Sequence, residues 1–119
     1  MKLCWTTIHV SDMGQSLHFY HEVLGLPVSS KNSSPSTDVV MLGDGETKLE
    51  LLYEKGNKNE RTNNFVSVGF TVKSLEETTE YLKNEGVDIL TGPISPNPHI
   101  RFFFASDPDG CQVQFVQSL

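Results

Sequence analysis

A weak internal repeat constrains this chain more than any other feature. Thr7-Ile8-His9-Val10-Ser11-Asp12-Met13 lines up with Gly69-Phe70-Thr71-Val72-Lys73-Ser74-Leu75 at an offset of 62 residues, and the same register joins Phe19 to Tyr81. Gly25 and Gly86 follow at matching places. Asp44-Gly45 and Asp109-Gly110 then precede two strand-like runs, in which Lys48-Leu49-Glu50 falls opposite Gln112-Val113-Gln114. Two copies of one supersecondary plan are the expected organisation. With 119 residues in all, the copies must share one small domain.

Local signals give each copy its elements. Asp12 with Gln15, and Ser74 with Glu77, have the spacing of helix N-caps whose side-chain oxygens accept orphan amide protons. Gly25 and Gly86 suit the left-handed position that ends a helix. Met13, Leu17, Tyr20 and Leu24 predict an apolar stripe on the first helix; Leu75, Thr79 and Leu82 predict one on the second. Strand signals cover 3–10, 26–30, 39–42 and 48–53, then 65–72, 87–90, 101–105 and 112–116. The order is strand, helix, three strands, twice over. The polar stretch 54–64 is the expected linker, 29–38 an expected solvated loop, and 92–98, with its three prolines, a stiff one.

Alternation sorts each strand into two faces. Ile8, Val10, Leu49, Leu51, Val66, Val68, Phe70, Val72, Val113 and Phe115 form an apolar set that must meet the helices. The opposite set is Trp5, Thr7 and His9, then Lys48, Glu50 and Leu52, then Ser67, Gly69 and Thr71, then Gln112 and Gln114. One face of an antiparallel sheet is often merely solvated. A tryptophan among small and polar residues, repeated in equivalent strands, suits a ligand cup instead.

The net charge of −6, from 15 acidic and 9 basic residues, argues against nucleic acid or an anionic membrane as partner. No apolar run approaches the roughly 18 residues of a membrane span. The N-terminus lacks the apolar core of an export signal. A cytoplasmic location is therefore expected, with Cys4 and Cys111 as reduced core thiols.

Val10-Ser11-Asp12-Met13, Ser16-Leu17-His18-Phe19-Tyr20, Leu24-Gly25-Leu26 and Asp107-Pro108-Asp109-Gly110 together resemble the vicinal oxygen chelate superfamily of glyoxalases, bleomycin-resistance proteins and extradiol dioxygenases. The resemblance covers essentially the whole chain. It implies an α+β fold for 1–119: two βαβββ modules, 1–54 and 65–119, forming a cupped mixed sheet with the helices outside. It also implies a homodimer and a small-molecule site inside the cup.

Metal-dependent members resemble one another in four ligand positions, which fall here on Trp5, Glu50, Ser67 and Gln114. Indole cannot coordinate a metal, and a hydroxyl and a neutral amide are weak donors that leave its charge uncompensated. No cofactor is therefore expected. Were Ni, Zn, Mn or Fe to bind, His9, Glu50 and Gln114 would be the donors. The expected ligand-binding set is Trp5, Thr7, His9, Glu50, Ser67, Arg101 and Gln114. Glu50 can act as a general base beside a carbonyl, pair with Lys48 or Arg101, or hold a cationic ligand stacked on Trp5. His18 and His21 read as solvated, and His99 as a loop residue able to reach over the cup. Two functions stay open: a metal-free binding protein, or a glyoxalase I-like lyase or isomerase using a metal or Glu50. An interaction module with an empty cup has no residue in its favour.

Overall fold

The computed structural model describes residues 1–56 and 66–119. Most of the expected linker 54–64, and Phe65 at the expected start of the second module, lie outside the described residues. The chain divides into two compact units, Met1–Arg61 and Thr62–Leu119.

The first unit runs β1 (Trp5–His9), α1 (Met13–Leu17) with a π-helical continuation (His18–Val23), β2 (Val28–Ser33), β3 (Thr37–Leu42) and β4 (Lys48–Glu54). Its sheet has the order β1-β4-β3-β2. β1 and β4 are parallel and the other pairs antiparallel. The second unit runs β5 (Ser67–Thr71), α2 (Leu75–Asn84), β6 (Ile89–Asn97), β7 (Ile100–Ser106) and β8 (Gln112–Ser118), with the order β5-β8-β7-β6. Here β5 and β8 form the parallel pair. Each unit is thus a βαβββ module with a mixed four-stranded sheet, as the repeat predicts.

The caps form as read. Asp12 Oδ1 accepts from the Gln15 amide at 2.9 Å, and Ser74 Oγ from the Glu77 amide at 3.2 Å. Gly25 and Gly86 sit at φ 80° and 77°, where a Cβ is disfavoured.

Each sheet buries one face. In the first unit Ile8, Leu51 and Val40 lie side by side on β1, β4 and β3, and all three are buried. In the second, Phe70, Phe115 and Phe103 make the equivalent row, with stacked rings 6.1 Å and 5.1 Å apart. Leu75 and Leu82 of α2 are buried as expected, and Thr79 between them is half-buried. Among the described residues no helix is long and apolar enough to cross a membrane.

Four local expectations are corrected. The first helix buries Ser16, Phe19, Tyr20 and Val23, while Met13, Leu17 and Leu24 are only half-buried. From His18 the helix switches to π geometry, in which the Leu24 amide bonds to Phe19 O at 2.9 Å, and Phe19, Tyr20 and Val23 of that segment turn inward. The expected loop 29–38 is instead the β2–β3 hairpin, whose turn is tied by the Ser34 hydroxyl to the amides of Ser36 and Thr37. β2 is an edge strand with almost wholly exposed side chains, so apolar alternation does not mark it. The stiff loop 92–98 lies mostly within β6, also an edge strand, where proline is tolerated because a missing amide faces no neighbour. Finally, Cys4 precedes β1 and is exposed, whereas Cys111 is buried.

Leu51 is fully buried at the centre of its sheet. Leu51→Ala should therefore cost about 2–5 kcal/mol, read as a lowered urea midpoint with an unchanged slope.

Candidate functional site

Residues opposite one another on neighbouring strands project the same way, so strand register defines each polar face. In the first unit Trp5 lies opposite Lys48, Thr7 opposite Glu50 and His9 opposite Leu52. β3 adds Met41 beside Glu50 and Val39 beside Leu52. Thr7 Oγ1 donates to Glu50 Oε1 at 2.8 Å, joining the two strands through side chains. His9 Nδ1 stands 3.4 Å from Glu54 Oε1. Trp5 is 50% exposed and leaves an indole available for stacking. Lys48 Nζ reaches Gly45 O at 3.5 Å, so its recorded contact is with the preceding turn, away from Glu50.

In the second unit Gly69 lies opposite Gln114, and Ser67 opposite Gln112. Gln114 Oε1 is 3.4 Å from where a Cβ on Gly69 would stand, so the glycine leaves room for the amide. On the far side of Gln114, β7 contributes Phe104, whose ring meets Phe102 edge to face at 5.7 Å. Ser67 is exposed. The charged residues of the two polar faces are thus on β4, with the His9 imidazole on β1, while β5, β7 and β8 supply amides, hydroxyls and aromatic rings.

Arg101 is placed apart from this set. It shares its face of β7 with buried Phe103, on the side that meets α2, opposite to Phe104 and Gln114. Its Nη2 donates to Glu76 Oε1 at 2.8 Å and, more weakly, to Gln117 Oε1 at 3.4 Å. The expected pairing with Glu50 therefore gives way to pairing within α2 and β8. The Arg101 guanidinium first, and then backbone hydrogen bonding, hold the Glu76 carboxyl below its ordinary value. That contribution to stability is present above the ordinary carboxylate range and fades as pH falls through the lowered value. The run Phe102-Phe103-Phe104 hid this placement, because either parity of β7 looks apolar.

His99 sits in the β6–β7 turn, its amide bonded to Asn97 Oδ1 at 2.8 Å. His18 is exposed and bonds Glu22 at 2.7 Å, and His21 is exposed beside Leu26 O, as expected for a solvated helix face. Several face residues went unread in the sequence, among them Val39, Met41, Glu54, Phe102 and Phe104. Glu54 continues the parity of Glu50, and only the early end assigned to that strand concealed it.

A family model described as Glyoxalase/Bleomycin resistance protein/Dioxygenase superfamily matches residues 2–115. The chain belongs to this superfamily. Among its relatives, a probable lactoylglutathione lyase of Synechocystis sp. is 28% identical over 99% of this chain and 96% of that protein. The lactoylglutathione lyase of Haemophilus influenzae is also 28% identical, over 99% and 93%. The trypanothione-dependent glyoxalase I of Leishmania major superposes with a TM-score of 0.86 at 27% identity, covering 98% of this chain and 86% of that one. The structure of SMU.1112c, at 22% identity and a TM-score of 0.83, shows the shared fold.

The residues present do not fit the divalent ion of metal-dependent superfamily members. Of Trp5, Glu50, Ser67 and Gln114, only Glu50 is an anionic donor, and it is hydrogen-bonded to Thr7. Of the alternative donors, His9 lies against Glu54. Among the described residues no group of three or more His, Cys, Asp or Glu side chains could hold a metal ion.

The Thr7–Glu50 bond is half-buried. Thr7→Val, close in shape, should lose about 1–2 kcal/mol by removing a hydrogen bond to a carboxylate. An unchanged urea midpoint would mean that this bond does not hold Glu50.

Proposed function

We propose that this superfamily member binds a small molecule on its polar sheet faces without the family's divalent ion. The supporting observation is the donor set: three of the four ligand positions carry Trp5, Ser67 and Gln114, and the fourth, Glu50, is engaged by Thr7. The same residues make a serviceable recognition surface. Trp5 offers a stacking plane with Lys48 opposite it, and Glu50 and Glu54 place two carboxylates on the same side of β4 beside His9. Thr7, Ser67 and Gln114 add hydrogen-bonding capacity. A planar ligand with a cationic group fits the first-unit face, through stacking and charge together. A homodimer in the cytoplasm is the assembly this reading expects.

A second reading draws on the lactoylglutathione lyase relatives. In it the chain is a lyase or isomerase, and Glu50 is a base that takes a proton next to a carbonyl while Thr7 fixes the carboxylate's orientation. On that side of β4 the two carboxylates Glu50 and Glu54 outnumber the one cation, Lys48, which counts against an anionic thiol-peptide substrate there.

Thermal-shift titration of metal-stripped protein with nickel, zinc, manganese and iron(II) tests the metal-free reading, since a ligand of the native state raises its stability. No rise in Tm is expected with any of the four, for wild type or Glu50→Ala. A rise seen in wild type and lost in the variant would sink the metal-free reading and call for assaying lactoylglutathione formation from glutathione and a 2-oxoaldehyde. Trp5 is the sole tryptophan, so quenching of its fluorescence by acriflavine, a planar cation, reads the same face. Glu50→Ala should weaken that binding about tenfold, the loss of one charged contact.

A further inference from the structure

The second unit has a cavity of about 570 Å³ between α2 and the β6–β7 side of its sheet. It lies on the face opposite to Ser67 and Gln114, so it is independent of the function proposed above. Its size falls within the usual range of small-molecule pockets.

The cavity has a local cause. β6 pairs with β7 through three register irregularities and so does not lie flat along its neighbour. At Gly92 the strand presses onto Phe103, where a Cβ would stand 2.6 Å from the Phe103 Cβ. Ile89 and Pro93 of β6, Phe103 of β7, and Leu75 and Thr79 of α2 line the resulting space. The first unit provides an internal control. Its equivalent groove, between α1 and β2–β3, is about 260 Å³. The acidic group there, Asp38, is already occupied by Ser33 and Lys55 at 2.6 Å and 3.2 Å.

Arg101 also lines the larger cavity. It is incompletely satisfied: Nη2 has Glu76 and Gln117, but its buried Nε has no hydrogen-bond partner among the described residues. An orphaned buried donor is costly, and the Nε–Nη2 edge of a guanidinium is matched by a carboxylate binding through both oxygens. Glu76, 69% exposed, supplies a single oxygen to that edge from the cavity's rim. An exposed ion pair of this sort is weak and readily exchanged.

We propose that this cavity is a second ligand site that takes a monocarboxylate with a compact apolar body. The carboxylate binds Arg101 in place of Glu76, and the apolar body rests on Phe103, Ile89 and Leu75. Glu76 is then an internal competitor that holds the guanidinium while the site is empty.

Calorimetric titration of the full chain with 2-naphthoate tests this, with 2-naphthylmethanol as the uncharged analogue. Wild type should prefer naphthoate by about tenfold or more, one charged contact. Arg101→Gln should bring the two probes to within about twofold of each other by removing the charge that separates them. Glu76→Gln should tighten naphthoate binding, the opposite sign, which general destabilisation cannot produce. Thr79→Trp should fill the space and abolish binding of both. Equal affinity for the two probes, no binding of naphthoate, weaker or unchanged binding in Glu76→Gln, or unaltered binding in Thr79→Trp would each overturn the proposal.

Discussion

Each module rests on a sheet whose first and last strands are parallel neighbours, β1 with β4 and β5 with β8. A parallel pair requires a crossover, so the chain must pass over one face before the remaining strands are laid down. α1 with its π continuation, and α2, make those passes and cover the apolar face of each sheet. Everything else follows from this layout. The inward rows Ile8–Leu51–Val40 and Phe70–Phe115–Phe103 lie beneath the crossover, and the opposite face carries the polar side chains.

The same pairing brings the candidate site residues together. Thr7 and Glu50 are 43 positions apart in the chain, and the parallel register makes them direct neighbours whose side chains bond. Gly69 and Gln114 are the corresponding pair in the second module, with no charge between them. One plan thus yields two chemically different faces. The first carries carboxylates, an ammonium, an imidazole and an indole; the second carries amides, hydroxyls and two phenyl rings. The outward-facing positions differ in chemistry between the modules, while the inward-facing positions are apolar in both.

Edge strands show where sequence reading loses its purchase. β2 and β6 each meet only one neighbour and contribute little to the buried face. Ser, Lys, Asn, Gly and Pro are acceptable there, and they are the residues that otherwise mark loops. Arg101 illustrates a different failure. Flanked by three phenylalanines, it offers no polar–apolar contrast to set its parity, and only pairing with Gln117 places it on the α2 side.

What this sequence determined by itself is whatever depends on local spacing. The two helix caps at Asp12 and Ser74, the closing glycines, the twofold βαβββ order and the inward positions of β1, β4 and β8 are all consequences of periods of 2 and 3.6 residues. Tertiary structure decided what depends on which strands become neighbours. The Thr7–Glu50 bond, the contact of His9 with Glu54, the turn of Phe19 and Val23 into the core through π geometry, and the separation of Arg101 from Gln114 are of this kind. The physical reason is that a side chain's direction is set by its own backbone, whereas its partner is set by a register between segments that only packing of the whole module selects.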